Sequence, residues 1–323
     1  MDEEAIHDKS HDWIVTAMGR AGVEHALGPV TSLLKDQGME LDRIDTVPID
    51  ALSGMVDGRM AIRPAGYTCA AIRARGPMSD PAALRAELLK LADEIAVDLV
   101  LQRASEHEQP RRLFAFDMDS TLIQGEVIDE LAKMAGVADR VVAITASAMR
   151  GEIEFQESFR RRVALLAGLP ASRVHELLER IPLMDGAERL FKALHAMGAK
   201  TAILSGGFTF FGAHLRKKLG VDHVHANELD VDAGGYVTGE VRGRIVDGTR
   251  KAELLVEIAR QEKIPLEEVV AVGDGANDLP MLRLAGMGVA FHAKPVVRAS
   301  AAFAVTHVGL DGLLYLLGNR GQR

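Results

Sequence analysis

The sequence predicts an α/β protein with a doubly wound parallel sheet, a helical cap inserted after the first strand of that sheet, and a preceding α+β domain. Three observations support this fold class. Short apolar runs alternate with amphipathic helices after residue 112, as in parallel sheets that are buried on both faces. One long stretch of helical periodicity interrupts this alternation. The first part of the chain orders its strands and helices differently.

Composition restricts the function before any motif is considered. The 323 residues are 48% hydrophobic and 26% charged, as in soluble globular proteins. With 38 Lys and Arg against 46 Asp and Glu, the net charge of -8 offers no basic surface for nucleic acid. The single cysteine, Cys69, excludes an internal disulfide and a thiolate zinc site, which favours a cytoplasmic location. The acidic amino terminus and the short apolar runs predict neither a signal peptide nor a membrane partner.

Residues 1–104 are predicted to form the α+β domain. Its elements are expected at "WIVTAMG", "ALGPVTSLLKDQG", "CAAIRARG", "DPAALRAELLKLADEIA" and "DLVLQRA". The order strand, helix, strand, strand, helix, strand is that of a ferredoxin-like sandwich, in which the irregular segment 40–66 is not placed.

The turn Gly19-Arg20-Ala21-Gly22 follows the first strand of this unit. The unit resembles an ACT domain, a small module that often senses amino acids, although the turn lacks the acid of the usual Asp-Arg-Pro-Gly. The resemblance implies an amino-acid effector at this domain. It leaves open whether the domain binds such an effector, forms a homodimer or does neither.

A second domain follows a polar segment. Residues 105–112, "SEHEQPRR", contain a proline and are interpreted as a linker to the domain at 113–323. Core strands are expected there at "LFAFD", "TAILSGG", "VVAVGDG" and "GVAF". The helical stretch at about 126–185 would lie over the strand ends, as a cap or lid must. Gly234 and Gly235, between two alternating segments, predict a β-hairpin.

Carboxylates gather at the end of the first core strand. Asp117 and Asp119 are two residues apart, so an extended backbone points both side chains to the same side. Ligand crevices of open α/β sheets lie at the carboxyl ends of the strands. A helix N-cap accounts for one acid, but not for two acids followed by Ser120 and Thr121. The pair therefore predicts a functional site.

Other strand ends add candidates. Ser205 ends the second core strand, and Gly206 leads into a helix, an arrangement that suits an anion such as phosphate. Lys251 lies at the start of a helix, where a cation opposes the helix dipole. Asp274 ends a third strand between two glycines. Each feature alone has a simple structural explanation, but their order at successive strand ends predicts one shared site.

The set of motifs resembles the haloacid dehalogenase superfamily. The matching residues are Asp-x-Asp-x-Thr at 117–121, Ser205, Lys251 and Gly-Asp-x-x-x-Asp at 273–278. The resemblance covers residues 112–318. It implies a Mg²⁺-dependent transfer of a phosphoryl group from a small phosphate ester to an aspartate. Further similarity in "SFRRRVALL" and "LSGGF" implies that the ester is a phosphorylated amino acid.

The resemblance also implies a role for individual residues. Asp117 would be the nucleophile, and Asp119 would be the general acid and base. Mg²⁺ would be held by the carboxylates of Asp117 and Asp274 and by the main-chain carbonyl of Asp119. The phosphoryl group would be held by Ser205, Gly206 and Lys251, and Asn277 would also bind the substrate. Taken alone, Asp278 at a helix start is better explained as a helix cap than as a catalyst.

Three charged residues allow more than one interpretation. Arg250 is the neighbour that could replace Lys251 as the cation of the motif, but the family prefers lysine. By resemblance, Glu126 would bind the ammonium of the substrate and Arg162 its carboxylate. Without the resemblance, an exposed charge on a helix explains either of the last two as well.

Two alternative functions stay open at the level of the sequence. The same intermediate could pass its phosphoryl group to homoserine or another alcohol, or the cap could accept a different small phosphate ester. The chain could instead be a catalytically silent sensor of amino acids. Retention of both Asp117 and Asp119 argues against a silent protein.

Overall fold

The computed structural model describes residues 12–20, 22–47, 55–56, 59–60 and 66–318. Residues 1–11 lie outside this part. So does Ala21, which belongs to the predicted turn Gly19-Arg20-Ala21-Gly22. The chain divides into two compact units, one made of residues 1–111 with 289–323 and the other of residues 112–288.

The part of the first unit up to residue 111 contains, among its described residues, a four-stranded sheet, a separate two-stranded sheet and three helices. Its elements are β1 (Asp12–Gly19), α1 (Glu24–Asp36), β2 (Glu40–Val47), β3 (Met55–Val56), β4 (Arg59–Met60), β5 (Thr68–Arg75), α2 (Pro81–Ile95), β6 (Asp98–Arg103) and α3 (Ala104–Glu108). The strand order is β2-β5-β1-β6, and each neighbouring pair is antiparallel. This order confirms the predicted ferredoxin-like arrangement.

The core of this sheet follows from its alternating pattern. Trp13 and Val15 on β1 point to the same side as Ile72 on β5, and all three are buried with Leu34 of α1 and Leu88 of α2. The predicted linker differs from an extended segment, because helix α3 covers its first half. The division into domains at 105–112 stays a prediction.

The remaining elements form a seven-stranded sheet with its helices. They are β7 (Leu113–Phe116), α4 (Val127–Met134), α5 (Ala138–Met149), α6 (Phe155–Ala164), α7 (Ala171–His175), α8 (Ala187–Ala196), β8 (Lys200–Phe208), α9 (Thr209–Leu219), β9 (His223–Val231), β10 (Val237–Arg242), α10 (Gly248–Gln261), β11 (Val269–Gly273), α11 (Leu279–Leu284), β12 (Met287–Phe291), α12 (Pro295–Ser300) and β13 (Phe303–Val305). The strand order is β10-β9-β8-β7-β11-β12-β13.

The topology of this sheet determines where a ligand can bind. From β7 the chain builds outward through β8 and β9, and it then returns to build β11, β12 and β13 on the other side. Strand β7 is parallel to both β8 and β11, which confirms the doubly wound parallel sheet. The strand order reverses between β7 and β11, and such switch points open a crevice at the carboxyl ends of the strands.

Two insertions complete the second unit. Helices α4 to α7 follow β7 directly and confirm the predicted helical cap. Strand β10 pairs antiparallel with β9 at the edge of the sheet, which confirms the predicted hairpin. The hairpin is bonded to the cap, because Gly168 N–H donates to the Val237 carbonyl and Ala171 N–H donates to the Gly235 carbonyl. Among the described residues, no helix combines the length and the apolar character needed to cross a membrane.

A buried carboxylate organises the end of the first unit. Asp98 opens β6 and is 3% exposed. Its carboxylate accepts three backbone hydrogen bonds, from Thr306 at 2.6 Å, His307 at 2.9 Å and Val308 at 3.0 Å. Burial raises the pKa of Asp98, and the three N–H groups oppose that rise.

We expect Asp98→Ala to lower the free energy of unfolding by about 2–5 kcal/mol, because three buried N–H groups lose their acceptor. Asp98→Asn should cost less, since its remaining carbonyl oxygen still accepts. Urea unfolding followed by circular dichroism measures both changes. Equal and small losses in the two variants would show that this carboxylate does not hold residues 306–308.

Candidate active site

A buried ammonium lies at the centre of the crevice. Lys251, in the first turn of α10, is 0% exposed. Its Nζ lies 2.8 Å from Oδ1 of Asp117 and 2.7 Å from Oδ1 of Asp278. Burial alone would lower the pKa of Lys251, but the two carboxylates outweigh it and raise that pKa. The side chain is therefore a permanent cation.

Asp117 is fixed at the end of β7 by its backbone. Its N–H donates to the carbonyl of Val272 at 2.9 Å, which extends the pairing of β7 with β11 by one residue. Its Oδ1 also accepts the N–H of Met118 at 2.6 Å. Burial and the nearby carboxylates of Asp278 and Asp274 raise the pKa of Asp117 well above its usual value, and Lys251 opposes this rise.

Asp274 and Asp278 bring two further carboxylates to the same place. Ligand oxygens of Asp117, Asp274 and Asp278 all lie within 4.8 Å of one another. The hydroxyl of Thr121 donates to Oδ1 of Asp274 at 3.2 Å. Burial, followed by repulsion from Asp278 and Glu126, raises the pKa of Asp274 to about 7.

Asp278 caps the turn at 276–278 rather than helix α11. Its side chain makes no cap bond to α11, but its Oδ2 accepts the N–H of Gly275 at 2.9 Å, as in a capping box. Oδ2 also accepts the N–H of Asp274 at 3.1 Å, and Oδ1 binds Lys251. Asp278, the last residue of the Gly-Asp-x-x-x-Asp motif, is thus both a cap and a residue of the site.

This set of groups suits a divalent cation. Three carboxylates face one ammonium, which leaves an excess of negative charge in a buried space. Both oxygens of Asp278 already have protein partners, so Asp117 and Asp274 are the carboxylates with capacity for a metal. Hard oxygen ligands of this kind are those of Mg²⁺ and Ca²⁺. A bound cation would lower the raised pKa values of these carboxyl groups.

Asp119 occupies a separate environment two residues beyond Asp117. Its Oδ1 accepts the N–H of Val127 at 3.0 Å. Burial and the nearby Glu126 raise the pKa of Asp119 to about 8. Its Oδ2 lies against the main chain of Gly207, where an added Cβ would come within 2.5 Å. Glycine at 207, which sequence reasoning did not list for the site, is required for this close approach.

Ser205 and Gly206 lie in the last part of β8, which continues through an irregular stretch to Phe208 and does not end at Ser205 as predicted. Oγ of Ser205 is buried and accepts the N–H of Gly207 at 2.8 Å. Because the oxygen is the acceptor in this bond, the hydroxyl hydrogen remains able to donate to a ligand. The ring of Phe155 on α6 lies over Gly206, 3.5 Å from the position of an added Cβ. Helix α6 of the cap therefore lies close to β8 at Gly206.

Glu126 and Arg162 belong to different parts of the cap but interact electrostatically. Glu126 precedes α4 and accepts a hydrogen bond from the Ser120 hydroxyl at 3.2 Å. Burial lowers the pKa of Arg162 on α6, and the nearby acids Glu126, Asp129 and Asp119 oppose this change. The Nε atom of Arg162 is buried without a hydrogen-bond partner in the described part of the chain.

The other candidates are also located. Arg250 pairs with Glu253 at 3.0 Å and Glu257 at 2.7 Å, which favours Lys251 as the cation of the site. Asn277 is half-buried in the turn at 276–278. One candidate was missed: Ser158 carries a buried hydroxyl without a partner among the described residues, one helical turn before Arg162.

Comparisons with known proteins agree with this geometry. Residues 114–283 match the model of the haloacid dehalogenase-like hydrolases. The chain is 41% identical over 305 residues to a phosphoserine phosphatase of Streptomyces coelicolor, covering 94% of this chain and 70% of the relative. It is similar to the crystal structure of a probable phosphoserine phosphatase from Vibrio cholerae, with a TM-score of 0.74, 33% identity and coverage of 96% of this chain and 87% of the other.

A further similar structure bears on the chemistry. It is a phosphoserine phosphatase solved as a phospho-aspartyl intermediate analogue, with a TM-score of 0.61 and 41% identity. The match covers 65% of this chain and 100% of the other.

A divalent cation should stabilise the fold through the acidic cluster. At a hundredfold excess over its dissociation constant, Mg²⁺ should add about 2.7 kcal/mol to the free energy of unfolding. Asp274→Asn should remove this gain, and with chelator present it should melt above the native protein because it relieves repulsion. Asp230→Asn, at a half-buried acid on β9 that pairs with Arg242, is the control and should keep the gain. Scanning calorimetry with chelator and then with Mg²⁺ measures the shift, and an unchanged shift in Asp274→Asn would contradict the assignment.

Proposed function

The chain belongs to the haloacid dehalogenase-like hydrolases, and we propose that it is a phosphoserine phosphatase that hydrolyses O-phosphoserine to serine and phosphate. One observation carries the proposal. Asp117 lies beside the buried Lys251, with Asp119 two residues further on, while the buried guanidinium of Arg162 lies within electrostatic range of Glu126, Asp129 and Asp119. The first group suits phosphoryl transfer, and the second suits an amino acid.

The first half of the reaction uses two carboxyl groups in different roles. A carboxylate oxygen of Asp117 attacks phosphorus, a P–O bond forms to the aspartate, and the bond from phosphorus to the seryl oxygen breaks. Asp119, whose pKa is raised by burial and by the nearby Glu126, donates its proton to that oxygen. Serine then leaves with a neutral side-chain hydroxyl.

The second half removes the phosphoryl group from Asp117. Water attacks phosphorus, Asp119 accepts the proton of that water, and the P–O bond to Asp117 breaks to release phosphate. The similar enzyme solved as a phospho-aspartyl intermediate analogue supports this covalent route. Asp119 thus ends each cycle protonated, as it began.

We propose Mg²⁺ as the divalent cation, held by the carboxylates of Asp117 and Asp274 and by the main-chain carbonyl of Asp119. When bound there, the cation would supply positive charge that reduces repulsion between the attacking carboxylate and the phosphate. Lys251, whose Nζ lies 2.8 Å from Oδ1 of Asp117, contributes a further positive charge. Ser205, the N–H of Gly206 and Asn277 are the further donors that we assign to the phosphoryl oxygens, where preorganised donors stabilise the transition state by several kcal/mol.

Substrate choice is assigned to the cap. Glu126 would receive the ammonium of phosphoserine, and the planar fork of Arg162 would bind its carboxylate through two hydrogen bonds. The buried Nε of Arg162 supports this role, because a buried donor without a partner costs free energy until a ligand supplies an acceptor.

The location and assembly belong to the same proposal. The single cysteine, Cys69, is buried and free, which fits the reducing cytoplasm. The ferredoxin-like unit is proposed to be an ACT-like module for an amino-acid effector or for a homodimer contact. Release of phosphate from a panel of phosphomonoesters, with Mg²⁺ and then with chelator, tests the activity. Transfer of the phosphoryl group to an added alcohol, or preference for another ester, would indicate the alternative reactions.

Arg162→Ala and Glu126→Gln should damage hydrolysis of phosphoserine far more than that of an aryl phosphate, because only phosphoserine carries both charges. Losing one charged partner in a closed pocket should cost roughly 2–5 kcal/mol of transition-state stabilisation, which appears as a lower kcat/KM. Arg162→Lys should recover part of the loss, since it keeps the charge but not the fork. The quantity to measure is kcat/KM for both substrates.

Arg161→Ala is the matched control for these variants. Arg161 is the exposed neighbour of Arg162 on α6 and pairs with Glu157 at 2.6 Å. Its removal should leave both substrates unaffected. Equal losses on the two substrates in the Arg162 and Glu126 variants would mean that these residues act on cap folding or on phosphate binding.

A further inference from the structure

One buried amide joins two backbone segments of the proposed phosphate site. Asn227 lies on β9, is 3% exposed and is opposite Phe208 of β8 in the register of the sheet. Its Nδ2 donates to the carbonyl of Gly206 at 2.8 Å. Its Oδ1 accepts the N–H of Val246 at 2.8 Å. Both hydrogen-bonding ends of the side chain are therefore used on main chain.

The bond to Gly206 completes the fixation of a peptide that has little other restraint. The peptide group between Gly206 and Gly207 has its carbonyl bound by Asn227 and its N–H bound by Ser205 Oγ. Two successive glycines have the widest choice of backbone angles, so their orientation depends on such bonds. Donors that stabilise a transition state must be oriented before the reaction. Rotation of this peptide would break both bonds at once.

The bond to Val246 reaches the helix that carries Lys251. Val246 immediately precedes Asp247, the N-cap of α10, whose Oδ1 accepts the N–H of Arg250 at 2.8 Å. The carbonyl of Asp247 accepts the N–H of Lys251 at 2.8 Å. The carbonyl of Val246 lies 3.5 Å from the position of a Cβ on Gly206, so the two segments are in contact.

We propose that Asn227 is a positioning residue of the phosphate site. It holds the Gly206–Gly207 peptide and the start of α10 at a fixed separation, so that Ser205, the Gly206 N–H and Lys251 converge on the same phosphoryl group. Only a side chain that donates and accepts can make both bonds. This inference rests on the proposed phosphatase function, and it adds a residue that does not itself touch the substrate.

Asn227→Asp is the sharpest variant, because it keeps the acceptor for Val246 and loses the donor for Gly206. Asn227→Ser, which is smaller and uncharged, is the second variant. The probe is inorganic phosphate, titrated into the Mg²⁺-loaded full chain by calorimetry and by the amide NMR signals of Gly206 and Gly207. Phosphate affinity should fall at least tenfold in Asn227→Asp, with a raised KM for phosphoserine and the two amide signals shifted before phosphate is added.

Thr201→Val is the matched structural control. The hydroxyl of Thr201 is fully buried at the opposite end of β8 and binds Asp222 at 3.0 Å. We expect both Thr201→Val and Asn227→Ser to lower the melting temperature. Phosphate affinity should stay unchanged in Thr201→Val.

Each outcome decides the proposal. Unchanged phosphate affinity in folded Asn227→Asp, or failure of both variants to fold, would assign Asn227 a structural role only. A native protein that binds phosphate at Gly206 but does not hydrolyse phosphoserine would contradict the proposed function, and the effect of Asn227 on phosphate binding could still be measured.

Discussion

The site depends on the burial of one ammonium group. Lys251 is completely excluded from water, and a charge in that position persists only with close partners of opposite sign. Its partners, Asp117 and Asp278, follow strands β7 and β11, so one ion pair network joins two neighbouring strand ends to the start of α10. Loss of one partner from such a network costs roughly 3–5 kcal/mol. The same contacts that set the geometry of the crevice therefore also stabilise the fold.

Charge balance connects this network to the chemistry. Asp117, Asp274 and Asp278 outnumber Lys251, and burial raises the pKa values of Asp117 and Asp274. A divalent cation would bring these four groups to neutrality, so that an anionic substrate would meet no net negative charge from them. Asp119 has a different environment: burial and the nearby Glu126 raise its pKa, and Lys251, which binds Asp117 directly, only opposes this rise.

Local sequence signals predicted the strands and their approximate ends. They did not predict the contacts between residues that are distant in sequence. The apolar runs of β7, β8 and β11 and the residues that follow them located Asp117, Ser205 and Asp274, because parallel strands direct their carboxyl ends to one edge. The ion pair of Asp278 with Lys251 was not predicted, because the two residues are distant in sequence and a helix start offered a local explanation for Asp278. Asn227 gave no signal, since its role depends on the register of β9 with β8. Gly207 matters only through the close approach of Asp119.

The central claim is that Asp117 becomes phosphorylated, and it can be measured on the native protein. The reaction with phosphoserine and Mg²⁺ would be stopped in acid within one turnover, and the peptide that contains Asp117 would be analysed by mass spectrometry. We expect that peptide to carry one phosphoryl group, which hydroxylamine removes as it does from acyl phosphates. Burst release of serine without any phosphorylated peptide, or a phosphoryl group on another residue, would contradict the account.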